Sequence, residues 1–296
     1  MSSNKISWFG QVSVYVGKCF RLFVNEKQWK SFISAAIITG IISMVTSDQM
    51  FIDYKDTKNG FFAVICACVW TGLFNSIQSI CRERAIIKRE HRTGLYLSSY
   101  ISAHAIYEAA LCAVEALIIL LLVVLKNHEN FPKEGLVGPA YLDLYITLFL
   151  AVYSADCLAI LVSSAVRKEN TAMTIMPFVL IVQLVMSGEA FPLKDLSEKI
   201  SRFTVSKWGM DGVLRISNTI ADLYSAPVTS EIFTHTNDFY CNGDGRFFKG
   251  DEIMFPMMEP EAQFLWRAWG LLLLSALVYL VISVFVLQLV DKDKRI

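Results

Sequence analysis

The chain has 296 residues, of which 54% are apolar and 18% charged, with a mean hydropathy of +0.46. A soluble chain is typically about 45–50% apolar, and a formal net charge of zero gives no basic surface on which to expect nucleic acid. The charges leave six long stretches nearly bare, the pattern of a polytopic membrane protein.

Residues 1–30 carry no continuous apolar core of the signal-peptide kind. Instead Trp8, Val12, Tyr15, Cys19 and Phe23 recur at helical spacing, with Gln11, Lys18, Arg21 and Asn25 opposite. The spacing predicts an amphipathic helix. It could lie in the membrane interface with its apolar face in lipid, or be a soluble amphipathic helix packing on another protein domain.

Six spans are predicted: Ser31 to Ser47, Phe61 to Ile80, Ile101 to Leu125, Leu142 to Val166, Thr171 to Gly188 and Ala268 to Val290. Pro177 should kink the fifth. An acidic loop with Asp48, Asp53 and Asp56 follows the first span. The stretch at 189–264 should be external. In it, Phe191, Leu193, Leu196, Ile200 and Phe203 predict an amphipathic piece returning into the outer leaflet, and Trp208 and Tyr224 suit an interface. Asn242-Gly243-Asp244-Gly245 reads as a tight turn, because the acidic spacing of a calcium loop is missing. Residues 265–296 then hold the last span and a basic tail.

Lys and Arg number fifteen in residues 1–30, the elbow at 81–97, Arg167–Lys168 and the tail, against four in the short loops at 47–60 and 126–140. That asymmetry predicts both termini and the elbow on the cytoplasmic side of a cell membrane. No Asn-x-Ser/Thr sequon occurs, which favours a bacterial plasma membrane. Of the seven cysteines, six lie in or beside apolar runs as small core residues; Cys241, in the polar loop, is either a free thiol or a bridge to a second copy. No metal site is expected.

The elbow, CRERAIIKREHRTGLYLSSY from Cys81 to Tyr100, has five basic residues, Arg82, Arg84, Lys88, Arg89 and Arg92. So much charge cannot lie in hydrocarbon. Basic residues alone would serve as topology signals, but the interleaved Glu83 and Glu90 are not needed for topology and suit ion pairing with a protein surface. Within the spans, Glu108 and Glu115 lie seven apart on one helix face, and Asp156 sits in the fourth span. Intramembrane carboxylates normally face the bundle interior. Here they read as internal hydrogen-bonding groups, with Glu108 pairing Arg84 or the amphipathic helix, or as a proton or cation relay.

The segment ERAIIKREHRTGLYLSSY followed by Glu108 resembles the permease half of the G-subfamily of ABC transporters and related bacterial exporters. Glu83, Arg84, Arg89, Glu90, Gly94 and Tyr96 match the family's elbow, or coupling helix, and Lys88 lies within it. Ser187-Gly188 and the later Ser206-Lys207-Trp208-Gly209 resemble two further family signatures. Departures are Ala109-Ala110 for a frequent Leu-Pro, Lys207 for a proline, and Glu189-Ala190 where drug exporters carry two gate leucines.

The resemblance implies an all-α membrane protein whose elbow docks onto an ABC ATPase domain or subunit. A second copy or homologue would complete the pathway, and membrane lipid would surround it. The sequence has no G-x-x-x-x-G-K-[ST] phosphate loop, so the chain is not expected to be an enzyme by itself, and ATP and magnesium would sit on the partner. By analogy with the family, the substrate path is expected along Phe74, Asn75 and Gln78 of span two with Met176, Val179, Gln183 and Met186 of span five. The outer gate is expected at Leu184, Val185, Gly188, Glu189 and Phe191. The resulting expectation is an ATP-driven exporter of an amphipathic or hydrophobic substrate. The rival is a proton-coupled secondary transporter using Glu115 and Asp156; the internal repeats common in such folds are not seen in the sequence. A membrane-embedded enzyme ranks last, because the four histidines are scattered and no catalytic serine or HExxH motif occurs.

Overall fold

A computed structural model describes residues 7–26, 28–47, 50–52, 54–188, 196–217 and 262–292, together with short strands at 240–241, 247–249 and 252–253. Helices dominate. In chain order they are α1 (Trp8–Asn25), α2 (Lys30–Val45), α3 (Tyr54–Ser76), α4 (Ser79–Arg92), α5 (Leu97–Lys126), α6 (Ala140–Ala165), α7 (Glu169–Val185), α8 (Leu196–Ser201), α9 (Val205–Ile216) and α10 (Ala262–Lys292). The strands β1 (Tyr240–Cys241), β2 (Phe247–Lys249) and β3 (Glu252–Ile253) form a small antiparallel sheet in the order β1-β2-β3.

Four helical stretches are long and apolar enough to cross a membrane alone: Asp56–Arg92, Leu97–Lys126, Ala140–Ala165 and Ala262–Leu289. The other two predicted spans are shorter. α2 has 16 residues and α7 has 17, lengths of about 24 and 26 Å against a hydrocarbon core of about 30 Å. α2 reaches spanning length only when joined to α1 across a 70° bend. Six predicted spans therefore become four long helices, one bent pair and one short apolar helix.

α6 is the centre of the bundle, flanked by α3, α5, α9 and α10. Small residues permit this. A Cβ on Gly72 of α3 would stand 2.3 Å from the Val152 carbonyl oxygen and 2.9 Å from the Ala155 Cβ of α6, so only glycine allows that contact. Polar pairs add direction: Trp269 Nε1 of α10 donates to Thr147 Oγ1 at 2.8 Å, and the Ser154 and Ser275 hydroxyls are 2.7 Å apart. Outward from this core, Leu274, Leu277, Val281 and Phe285 of α10 and Ile33, Ile37 and Ile41 of α2 are exposed. Apolar side chains facing out and polar pairs facing in are what a lipid solvent demands.

The helix ends are held by side chains from other elements. Lys126 Nζ at the end of α5 donates to the Ser43 carbonyl at 2.5 Å and to that of Thr46. Arg84 NH1 donates to the Ser164 and Val166 carbonyls at 3.3 and 2.5 Å. Each cation thus caps the carbonyl end of a neighbouring helix, where the dipole is negative. The Asp143 carboxylate, buried in the first turn of α6, accepts from the N–H groups of Leu136, Val137 and Gly138 at 2.9, 2.9 and 3.3 Å and so folds the preceding loop.

The structure adds to three sequence readings. First, α1 packs its stripe on the rest of the protein: Val12 and Cys19 are buried, and Phe23 and Tyr15 meet Tyr107 and Tyr100 of α5 edge to face. Second, of the predicted amphipathic piece only Ile200 and Phe203 have described side chains, and both are exposed, while α9, starting two residues after Phe203, is buried along nearly its whole length between α3, α6 and α10. Third, within the elbow α4 prolongs α3 across a two-residue turn at Ile77–Gln78, and the chain reverses at Gly94. The Asp48 and Asp53 positions, Tyr224, the Asn242–Gly245 turn, the side chain of Cys241 and residues 293–296 lie outside the described residues.

Candidate functional site

Among the described residues the elbow is densely bonded by polar side chains. Its helix, α4, starts on α6: the N–H groups of Ile80 and Cys81 both donate to Ser163 Oγ at 3.1 Å, which supplies acceptors for the free N-terminal donors. It ends at Gly94, where φ is +113°. The Leu95 N–H donates to the Glu90 carbonyl at 3.1 Å and the Gly94 N–H to that of His91 at 3.3 Å. This is a Schellman turn, and its left-handed residue explains the glycine of the elbow motif.

Glu83 and Glu90 face α1. Glu83 Oε2 accepts from Lys18 Nζ and from the Tyr100 hydroxyl, both at 2.8 Å. The elbow's charge keeps it outside the hydrocarbon. Burial raises the Glu83 carboxyl, but its bonds to Lys18 and Tyr100 and the Lys18 charge outweigh that and hold it below the usual carboxylate range. Glu90 Oε2 accepts from the Tyr15 hydroxyl at 2.5 Å, and Arg82 pairs with Glu26 at 3.0 Å. At the turn, Gln11 Nε2 donates to the Gly94 carbonyl at 3.1 Å, while Gln11 Oε1 accepts from the Tyr96 N–H and the Ser99 hydroxyl, each at 2.9 Å. The polar side of α1 is therefore a clasp on the elbow.

This arrangement divides the seven expected coupling residues. Glu83 and Glu90 bind α1, Arg84 caps α6 and Gly94 shapes the turn. Arg89 and Tyr96 are exposed and Lys88 is half-buried, with Arg92 exposed beside them. The outer surface of the elbow is thus basic. Gln11, Tyr15, Lys18, Tyr100 and Ser163 were missed from sequence. Gln11 and Lys18 stood out only as members of the polar face of α1, and Tyr15 only as a member of its apolar stripe.

The intramembrane carboxylates are all buried. Asn75 Nδ2 donates to Glu115 Oε2 at 2.7 Å. Glu108 does not pair with Arg84, which is turned to the end of α6; it adjoins Ser76, as does Asp156. Among the described residues no three His, Cys, Asp or Glu side chains converge as a metal site.

Along the expected path, α3 and α7 do pack together. Phe74 is exposed and stacks on Trp70, with ring centroids 5.6 Å apart, and Val179 and Met186 are half-buried. Met176 is buried, Asn75 is tied to Glu115 and Gln78 is half-buried at the start of α4. Gln183 is buried and structural: its Oε1 accepts from the Val205 N–H at 2.9 Å and its carbonyl accepts from the Ser206 hydroxyl, so it seats the start of α9. The Ser206 and Gly209 positions of the second motif are accounted for here, Gly209 lying against Ile65 of α3. In the expected gate, Leu184 and Val185 are half-buried and Gly188 has φ of +85°; Glu189 and Phe191 lie outside the described residues.

Residues 11–217, more than half of the chain, match the family described as ABC-2 type transporter. Over 218 residues the chain is 27% identical to an ABC transporter ATP-binding/permease protein of Mycobacterium tuberculosis, an alignment covering 69% of this chain and 25% of that protein. It is 23% identical over 188 residues to ABC transporter G family member 25 of Arabidopsis thaliana, covering 62% of this chain and 27% of the relative. The chain spans about a quarter of the length of each of these relatives. The matched region takes in the α1 clasp, the elbow and the helices from α2 to α9 but not α10, and the chain belongs to the ABC-2 type transporter family, as a multi-pass membrane permease with a role in transport.

Proposed function

We propose that the chain is the membrane-spanning half of an ATP-driven ABC exporter. An ABC ATPase, separate or joined in a longer protein, holds ATP and magnesium and docks on the elbow at 81–97. The six apolar segments at 31–188 and 265–296 all cross the membrane, with the 189–264 region outside and both termini in the cytoplasm, in a bacterial plasma membrane. A second copy or homologue pairs across the pathway. Closure of the ATPase moves the elbow and switches the bundle from inward-open to outward-open, expelling an amphipathic or hydrophobic substrate.

One observation carries this reading. The acids of the elbow are consumed internally by α1, which leaves Arg89, Arg92 and Lys88 as an outward basic face on a rod continuous with α3. Topology alone needs no such clasp. The rival, a proton-driven carrier through Glu115 and Asp156, has less support because Glu115 is already engaged by Asn75.

A photo-crosslinking residue at Arg89 in native membranes should capture an ABC ATPase, while one at Phe285 on the exposed face of α10 should not. Charge reversal by Arg89→Glu should abolish the capture. Equal capture from both positions, or none from Arg89, would remove the docking role.

A further inference from the structure

Three buried side chains from three helices meet without bonding one another. Glu108 of α5 is 3% exposed, and Asp156 of α6 and Ser76 of α3 are 0% exposed. Ser76 adjoins both carboxyls, yet neither approach has hydrogen-bond geometry. Ser76 Oγ, Glu108 Oε2 and both Asp156 oxygens have no hydrogen-bond partner among the described residues. The other titratable groups around them are Glu115, whose Oε2 is held by Asn75, the Cys112 and Cys157 thiols, and the Tyr107 and Tyr153 phenols. None of these is a cation.

Native proteins leave few buried polar atoms unsatisfied. Two adjoining carboxylates in hydrocarbon repel each other and lose their hydration, so something positive must neutralise them. We propose that Glu108, Asp156 and Ser76 form an intramembrane site for a small monovalent cation, either a proton or an alkali ion. The carboxyls supply the charge, and the buried serine hydroxyl that adjoins both supplies a neutral oxygen. A transition metal is a poor fit, since no third His, Cys, Asp or Glu joins the group.

The location gives the occupant leverage. Ser76 is the last residue of α3, three positions before α4 begins, and Gly72 one turn earlier is the tight contact of α3 with α6. An occupied site draws α3, α5 and α6 together at the root of the elbow. An empty one drives the two carboxylates apart. These residues are separate from the basic docking face, so either idea can fail alone.

The test uses the full chain in lipid nanodiscs. Thermal unfolding is followed by tryptophan fluorescence from about pH 5 to about pH 9 in sodium, potassium and choline chloride at one ionic strength. Infrared spectra follow the carbonyl stretch of protonated carboxyls. Occupancy of the folded state alone raises the folding constant about 100-fold at a cation concentration 100 times its dissociation constant. If the occupant is a proton, the unfolding temperature falls as pH rises whatever the salt, and the carboxylic-acid band disappears over the same interval. If it is an alkali ion, sodium or potassium raises the unfolding temperature saturably over choline at the alkaline end. Asp156→Asn should erase whichever dependence is found. Glu108→Gln should do the same and serves if the first variant fails to assemble, and Ser76→Ala should weaken the dependence without erasing it. A wild type whose stability and carboxyl band ignore both pH and salt overturns the site without recourse to any variant. So does a dependence that survives intact in the substituted proteins.

Discussion

The clasp between α1 and the elbow makes a measurable energetic claim at Lys18 and Glu83. Their 2.8 Å contact is partly shielded, the side chains being 29% and 16% exposed. Glu83→Gln removes the charge, weakens the bond from Tyr100 and leaves the Lys18 ammonium without its carboxylate. Hydrogen bonds to charged groups contribute about 1.5–3 kcal/mol, so this substitution should cost about 2 kcal/mol. Lys18→Met keeps most of the aliphatic stem and leaves Glu83 bonded to Tyr100, at a cost of about 1 kcal/mol, because a half-shielded pair is partly screened by solvent. If the two groups act chiefly through each other, the double variant should cost about 2 kcal/mol, a coupling of about 1 kcal/mol. Unfolding in nanodiscs by tryptophan fluorescence reads the cycle. Hydrogen exchange of the α4 amides should report faster local opening in each single variant. Additive costs, with coupling below about 0.3 kcal/mol, would show that the contact is incidental and that α1 does not hold the elbow.

Two further substitutions test the local geometry. Gly94→Ala puts a Cβ on a residue whose φ is +113° and should cost about 1–2 kcal/mol, with raised exchange at Leu95 and Tyr96; an unchanged unfolding temperature would mean that the Schellman turn is not required. Gln183→Leu leaves the buried Val205 N–H without its acceptor and should cost about 1–3 kcal/mol, with exchange rising first in α9; a change confined to transport, with stability intact, would return Gln183 to the substrate path.

The long apolar helices were legible because nothing else explains 20 or so residues without charge. α5 and α6 lie within a few residues of their predicted limits, and α10 begins six residues before its own. The elbow was legible for the opposite reason, since five cations cannot enter hydrocarbon. What the sequence hid is where side chains point. Glu83 and Glu90 look alike between arginines, and their spacing of seven places them on one helix face. Only the fold shows that this face meets α1 and not a partner. α9 escaped notice because Gly209, Gly212 and Ser206 dilute its hydropathy, yet those small residues are what let it enter between α3 and α6. Ser76 carried no signal at all, because a serine ending an apolar run is ordinary until two carboxylates converge on it from elsewhere in the chain.

These contacts also decide how far a push on the elbow would travel. α1 is fixed to α4 at both ends of the elbow, by Lys18 to Glu83 and by Gln11 to the turn at Gly94 and Tyr96. α4 continues α3 through a two-residue turn, and its first amides are bonded to Ser163 of α6. α3 in turn touches α6 through Gly72, and both helices wall the pocket that holds α9. The links are hydrogen bonds, the close backbone contact at Gly72, the short Ile77–Gln78 turn, and the packing of Ile65 and Thr147 against Gly209 and Gly212. Packed elements of this kind shift as units instead of deforming gradually. In the proposed transport cycle, a displacement applied to the basic face of α4 would pass along these contacts toward the start of α9, where Gln183 ties it to α7. The weakest part of that route is the junction at Ile77–Gln78, the one place where the rod's helical hydrogen bonding is interrupted. It stands directly after Ser76, so if the proposed Glu108–Asp156–Ser76 site exists, its charge state would bear on that route at its softest point.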